Sequence, residues 1–259
     1  MTTSKLEQLQ AELGSNPTDA QHAISVLGDV DRYTPELVAA LGRPLAETIQ
    51  ATTNTYTIGI GWRELVRMAE QQPAALAPAV GTILELVGTA VQERRPDRIE
   101  QLPQGDRYMS ILRALADDPS LATDIPIGTF DPLIGSPAIE HPLQGDIYRL
   151  IGSVSSPAAA DRLLELQAEA GYDTAGIEVG LERLCERSIR RIEIAASDEE
   201  QSQSKISITA AIGVLARVYD SPIAADVNVA DRLASNWQPL TDSIGETEDP
   251  ADISTFLIQ

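Results

Sequence analysis

The chain has one cysteine, Cys185, and two histidines, His22 and His141, in 259 residues. A single thiol excludes an intrachain disulfide and a thiolate metal cage. Neither histidine has a second metal-ligand residue at a recognised spacing, so no metal or other cofactor is expected. Aromatic residues make up only 4% of the sequence. The apolar mass comes from Ala, Leu, Ile and Val, which favours closely packed helices over sheets built on aromatic and β-branched side chains. Lysine is nearly missing as well: Lys5 and Lys205 stand against seventeen arginines. No apolar signal core follows Met1-Thr2-Thr3-Ser4-Lys5, and no continuous apolar run reaches bilayer length, so a cytoplasmic protein without a membrane anchor is expected.

Bases are outnumbered, nineteen against thirty-nine acids, for a net charge of −20. This acidic, lysine-poor composition resembles the proteins of salt-in halophilic archaea, where high salt screens the self-repulsion such charge creates. The acidity then reports habitat rather than a basic partner. Its consequence is measurable by circular dichroism: the melting midpoint is expected to rise between dilute buffer and molar KCl. An unchanged midpoint would remove the halophile reading.

Against these absences stands 43% hydrophobic content, ample for a core. The apolar residues recur at helical spacing in segments that each precede a proline. Examples are Ala23 to Gly28 before Pro35, Leu65 to Ala69 before Pro73, Ile111 to Ala116 before Pro119, Leu150 to Val154 before Pro157, and Ala211 to Ala216 before Pro222. Proline suits the first turn of a helix, where its missing N–H has no intrahelical acceptor to lose. Each of these prolines is therefore expected to start a helix. Their spacings are 38, 46, 38 and 65 residues, and three of the four lie in or near the range of two-helix repeats.

Helices are expected at about 3–13, 17–30, 35–51 with an interruption near Pro44, 56–71, 73–93, 105–117, a short one after Pro119, 143–154, 157–170, 173–196, 205–219 and 222–236. Gly59 and Gly61 beside Trp62 suggest close helix approach. Residues 125–141 carry Pro126, Pro132 and Pro137 with Gly128 and Gly135, so no long helix crosses them. The sequence reads as one helical-repeat domain over 1–245, with that irregular Pro-rich loop inside it and an acidic tail over 246–259. The apolar end of the tail, Phe256-Leu257-Ile258, either docks on the last helix or reaches a partner.

The segments Ala23-Ile-Ser-Val-Leu-Gly-Asp-Val followed by Pro35-Glu-Leu-Val-Ala-Ala-Leu, and Ala211-Ile-Gly-Val-Leu-Ala before Pro222, resemble HEAT-type or armadillo-like helical repeats. The usual acid, valine, arginine start of the second HEAT helix is lacking. The resemblance implies an all-α fold, an α-solenoid of about five antiparallel helix pairs, whose extended surface holds another macromolecule.

Two arginine clusters are the candidate partner-binding residues. On the helix at 173–196, Ile177, Leu181, Leu184, Cys185, Ser188 and Ile192 share one face. Arg183, Arg187, Arg190 and Arg191 flank one side of it, and Glu182, Glu186 and Glu193 the other. The like-charge i,i+4 pairs each cost about 0.2–0.5 kcal/mol, so compensation from outside the helix is expected. Arg94, Arg95 and Arg98 form the second cluster. The bland reading of both is a solvated, acid-paired surface, and the functional one is an acidic protein partner or a phosphate backbone.

No catalytic motif rises above chance. Ser202-Gln-Ser-Lys205 matches S-x-x-K without its S-D-N or K-T-G companions. Gly59-Ile-Gly61 lacks a third glycine and a preceding strand. Trp62 and Trp237, on a helical-repeat scaffold, invite comparison with HEAT-like DNA alkylpurine glycosylases, although buried packing explains both. The expected function is a noncatalytic scaffold or adaptor with a protein partner. A nucleic-acid-binding or DNA-repair protein and a self-associating structural component are the alternatives.

Overall fold

The computed structural model describes residues 3–154, 156–169, 174–196, 208–219, 221–223, 227–228 and 231. Among them are ten α-helices and no strand, so the fold is all-α. The linker with Ser202 and Lys205, most of the helix expected at 222–236, Trp237 and the tail 246–259 lie outside the described residues. The chain gathers into two compact units, Met1–Ile147 and Tyr148–Gln259.

The first unit holds α1 (Thr3–Leu13), α2 (Pro17–Gly28), α3 (Pro35–Ala51), α4 (Thr55–Gln71), α5 (Val80–Arg94) and α6 (Gly105–Asp117). Their starts follow from local chemistry. The Asn16 side chain accepts from the amides of Thr18 and Asp19 at 3.0 and 3.1 Å, and Pro17 occupies the first turn. Thr34 precedes Pro35 in the same way, and Asn54 accepts from Tyr56 and Thr57. Each cap satisfies amides that have no partner within the helix. α1 packs on α2 and α3, α2 on α4, α3 on α4 and α5, and α4 on α6. α1, α3 and α5 are thus in consecutive contact, as are α2, α4 and α6. Ile24, Leu27, Val38, Leu41, Leu45, Leu65, Met68, Ile83, Leu84 and Ile111 between them are fully buried.

Three of the expected proline effects are overturned. α3 runs unbroken through Pro44. The ring removes the N–H that Ala40 would use, and the Gln10 amide from α1 donates to that carbonyl instead, at 2.8 Å. One turn on, the Thr48 hydroxyl lies 2.7 Å from the Pro44 carbonyl and 2.8 Å from that of Leu13, tying the end of α1 to α3. Pro73 begins a 3-10 turn over Ala74–Ala79, and α5 starts only at Val80. Pro78 inside that turn lacks the amide an α-helix would need there. Pro119 starts no helix, because Asp118 accepts from the Ser120 amide at 2.8 Å and hydroxyl at 2.7 Å, a side-chain turn that competes with helix initiation.

Ala74–Arg94 together is long and apolar enough to cross a membrane, a stretch the sequence reading passed over. Half of it is buried within the protein, with Leu76, Ile83, Leu84 and Val87 fully enclosed, as a core helix requires. The segment 125–141 contains no α-helix before its last residue, only a 3-10 turn at Ile127–Phe130. Phe130 and Leu133 are fully buried, so the loop is pinned to the core. His141, expected in that loop, is the first residue of α7 (His141–Ile151).

The division between the two units falls within α7. The second unit contains α8 (Pro157–Ala168), α9 (Thr174–Ala196) and α10 (Ile208–Val218), and each of these packs on the other two. All six residues expected on the apolar face of α9 are buried. Burial pushes the Cys185 thiol up to about 12, which keeps it protonated and unreactive. At Gly152 and Gly180 backbone approaches backbone. A Cβ on Gly152 would lie 2.3 Å from the Gly180 carbonyl oxygen, and one on Gly180 would lie 2.6 Å from that of Tyr148.

Candidate partner-binding grooves

The bridge from α5 to α6 is where sequence-predicted residues and open grooves coincide. Its ends are two non-glycine residues in the left-handed region, Arg95 at φ 42° and Gln104 at φ 71°. Left-handed backbone costs a side-chain-bearing residue roughly 1–2 kcal/mol, so the surroundings must hold both in place. The Arg95 amide bonds the Val91 carbonyl at 3.0 Å, ending α5. Gln104 accepts from Arg107, whose guanidinium also donates to the Gly59 carbonyl on α4. Between them, buried Ile99 donates its amide to the Ala138 carbonyl at 2.8 Å, and Leu102 is buried too. Gly105 then passes so close that a Cβ would lie 2.2 Å from the Ile99 carbonyl oxygen.

This bridge separates two grooves. One, of about 400 Å³, lies among α3, α4, α5 and α6, with Ile49, Ile58, Trp62, Leu86 and Tyr108 as its apolar lining. Gln50, Thr52, Thr55, Thr89, Glu93, Arg94 and Gln104 supply its polar groups. The Trp62 and Tyr108 rings meet edge to face at 4.8 Å, and both residues are buried. Burial pushes the Tyr108 phenol up, and the Arg94 charge draws it partly back. The other groove, about 780 Å³, runs along the Pro-rich loop. Arg95, Asp97, Asp131 and Ser136 line it beside Pro96, Pro132 and Pro137.

Of the first arginine cluster, Arg98 is paired with Glu140 at 3.3 Å. Arg94 and Arg95 are exposed and line different grooves. Arg183, Arg187, Arg190 and Arg191 belong to the second unit. Arg187 donates to the Ser153 carbonyl at 2.9 Å, a contact outside α9. Arg190 is exposed, while Arg183 and Arg191 are half-buried. His22 on α2 lies 3.0 Å from Glu12, and its hydrogen bond leads the effects that lower the Glu12 carboxyl.

A charged cluster that sequence reasoning missed lies under α2 and α4. Glu64 is fully buried, with Arg63 Nε at 2.7 Å, Arg67 Nη1 at 2.6 Å and the Tyr33 hydroxyl at 2.8 Å. Arg67 also donates to the Val30 carbonyl at 2.6 Å and lies 5.3 Å from the Tyr33 ring centroid. Burial, then the hydrogen bond with Glu64, pushes the Tyr33 phenol far up. Every carboxylate oxygen is engaged, so the cluster has the form of a structural clasp between α2, the following turn and α4. Gly61, one turn before Glu64, permits the close approach expected of it, since a Cβ there would lie 2.8 Å from Ile49. Gly59 instead faces Arg107 and Gln104.

No family model, curated protein or solved structure matches this chain.

Proposed function

We propose that the chain is a noncatalytic helical-repeat scaffold or adaptor, cytoplasmic in a halophilic cell, that holds a protein partner. Its helices form an α-solenoid of about five antiparallel pairs in this reading. The observation that carries it is the packing order of the first unit, where α1, α3 and α5 are in consecutive contact, as are α2, α4 and α6. A solenoid buries each pair against its neighbours in this way, because no pair can cover its own apolar stripe. The mutual packing of α8, α9 and α10 accords with the same progression within the second unit. Two grooves beside a strained bridge give such a scaffold places to hold something.

The test is affinity capture with the tagged full chain, from halophile cells lysed in molar KCl, read by mass spectrometry. A protein recovered in stoichiometric yield and indifferent to nuclease treatment is the expected result. Recovery that nuclease abolishes would replace this reading with the nucleic-acid one, and recovery of further copies of the chain alone would replace it with self-association.

A further inference from the structure

We propose that the aromatic-floored groove of the first unit takes an apolar anchor residue from an acidic segment of a protein partner, and that Arg94 and Arg95 receive that segment's carboxylates. This rests on the scaffold reading and names the chemistry of its partner.

The first observation is an imbalance of pairing. The chain carries a net charge of −20, so carboxylates are plentiful. Arg43, Arg63, Arg67, Arg98 and Arg113 in the first unit each have one within ion-pairing distance. Among the described residues of that unit Arg32, Arg94, Arg95 and Arg107 form no ion pair; Arg107 is engaged by Gln104 and the Gly59 carbonyl, and of the rest only Arg94 and Arg95 are adjacent, at the end of α5 and on the edges of the grooves. Each of these exposed guanidiniums presents five N–H donors to an incoming carboxylate.

The second observation is direction. Successive residues at a helix end do not face one another, and the left-handed backbone of Arg95 turns the chain there. Arg94 accordingly lines the aromatic-floored groove and Arg95 the Pro-lined one. A segment crossing the end of α5 meets both cations in succession. A glycine would occupy position 95 without strain, and an arginine held there instead is a backbone outlier at a groove edge, where ligand contacts concentrate.

The third is the groove itself. About 400 Å³ over Trp62 and Tyr108 is ligand-pocket size, with an apolar floor and polar rim, the form that accepts one large side chain and the backbone carrying it. Glu93 on the rim disfavours a second acid deep in the groove, so the carboxylates belong beside the anchor rather than in its place.

The experiment uses the full chain at the lowest KCl concentration that retains full helicity, because molar salt screens exposed ion pairs. The probes are fluorescein-labelled heptapeptides with a central leucine or phenylalanine flanked by aspartate, serine or lysine, read by anisotropy. Aspartate-flanked peptides are expected to bind at least about tenfold more tightly than lysine-flanked ones. Replacing the central residue by glycine should abolish binding. The double variant Arg94→Glu/Arg95→Glu should invert the preference towards lysine-flanked peptides. Arg95→Gly should melt no lower than the wild type yet bind aspartate-flanked peptides severalfold more weakly.

Absence of binding by every peptide, or an aspartate preference that survives the charge reversal, overturns the inference. So does a single-stranded oligonucleotide that binds more tightly than any of the peptides. Capture of the same partner by the wild type and by the charge-reversed variant overturns the inference while leaving the scaffold reading in place. A wild type that captures nothing, with the peptide preference intact, removes the scaffold reading instead.

Discussion

Glu64→Ala is expected to lower the unfolding free energy by about 3–5 kcal/mol, measured by chemical denaturation. The wild-type carboxylate is fully buried and holds Arg63, Arg67 and the Tyr33 hydroxyl at 2.6–2.8 Å. Its removal leaves Arg67, only 28% exposed along its side chain, without a counter-charge. It also takes from the Tyr33 hydroxyl its one side-chain partner, leaving the Leu27 carbonyl at 3.0 Å. An unpaired buried charge is penalised far more than the intact pair contributes, which is why truncating one partner has so large an effect. Arg63 is 54% exposed and can turn to water, so the loss falls mainly on Arg67 and Tyr33.

Salt separates this effect from surface electrostatics. In molar KCl the Debye length is about 3 Å, and an exposed pair such as Arg43 with Glu47 is largely screened. The Glu64 deficit should persist there, since ions do not reach a buried carboxylate. Glu64→Gln keeps the shape and one acceptor oxygen and should fall between wild type and alanine. A Glu64→Ala variant within about 1 kcal/mol of the wild type would show that the cluster contributes nothing net.

The same glutamate shows why part of this chain was hard to read. In sequence, Arg63, Glu64 and Arg67 look like an ordinary solvated triplet. The partner that makes them a clasp, Tyr33, lies 31 positions away. One local signal was there: Thr57, Gly61, Leu65 and Met68 recur at helical spacing and are buried, and Glu64 falls on their face. The apolar face of α9 was legible because six residues at one periodicity leave little choice. The proline rule held at Pro35 and Pro157 and failed at Pro44, Pro73 and Pro119. A proline announces a missing N–H, but whether the orphaned carbonyl finds another donor depends on a distant side chain, here Gln10. The grooves were out of reach for the same reason. Trp62 and Tyr108 are 46 residues apart in sequence and 4.8 Å apart between ring centroids, and no pattern in either segment announces the other. The Arg94-Arg95 pair was visible as composition, and its division between two grooves comes from a left-handed residue that sequence propensities assign to glycine.

Gly152→Ala is expected to destabilise the second unit by about 3 kcal/mol or more, at the upper end of overpacking effects, because the added methyl meets backbone rather than a side chain that can swing away. A Cβ at this position would stand 2.3 Å from the Gly180 oxygen and 2.7 Å from its Cα. Gly180 lies inside α9, where alanine would otherwise gain about 0.5–1 kcal/mol in helix propensity. Gly180→Ala should nonetheless destabilise, since its methyl would meet the Tyr148 oxygen at 2.6 Å. The two substitutions strain one contact, so the double variant should lose less than the sum of the singles. Gly128→Ala is the control: its nearest neighbour is the Asp131 carboxylate at 3.6 Å, and the change should stay within about 0.5 kcal/mol. Hydrogen exchange resolves where the loss occurs. Faster exchange of α8, α9 and α10 amides in Gly152→Ala is expected, and wild-type stability for that variant would mean that residues 148–152 and α9 do not touch.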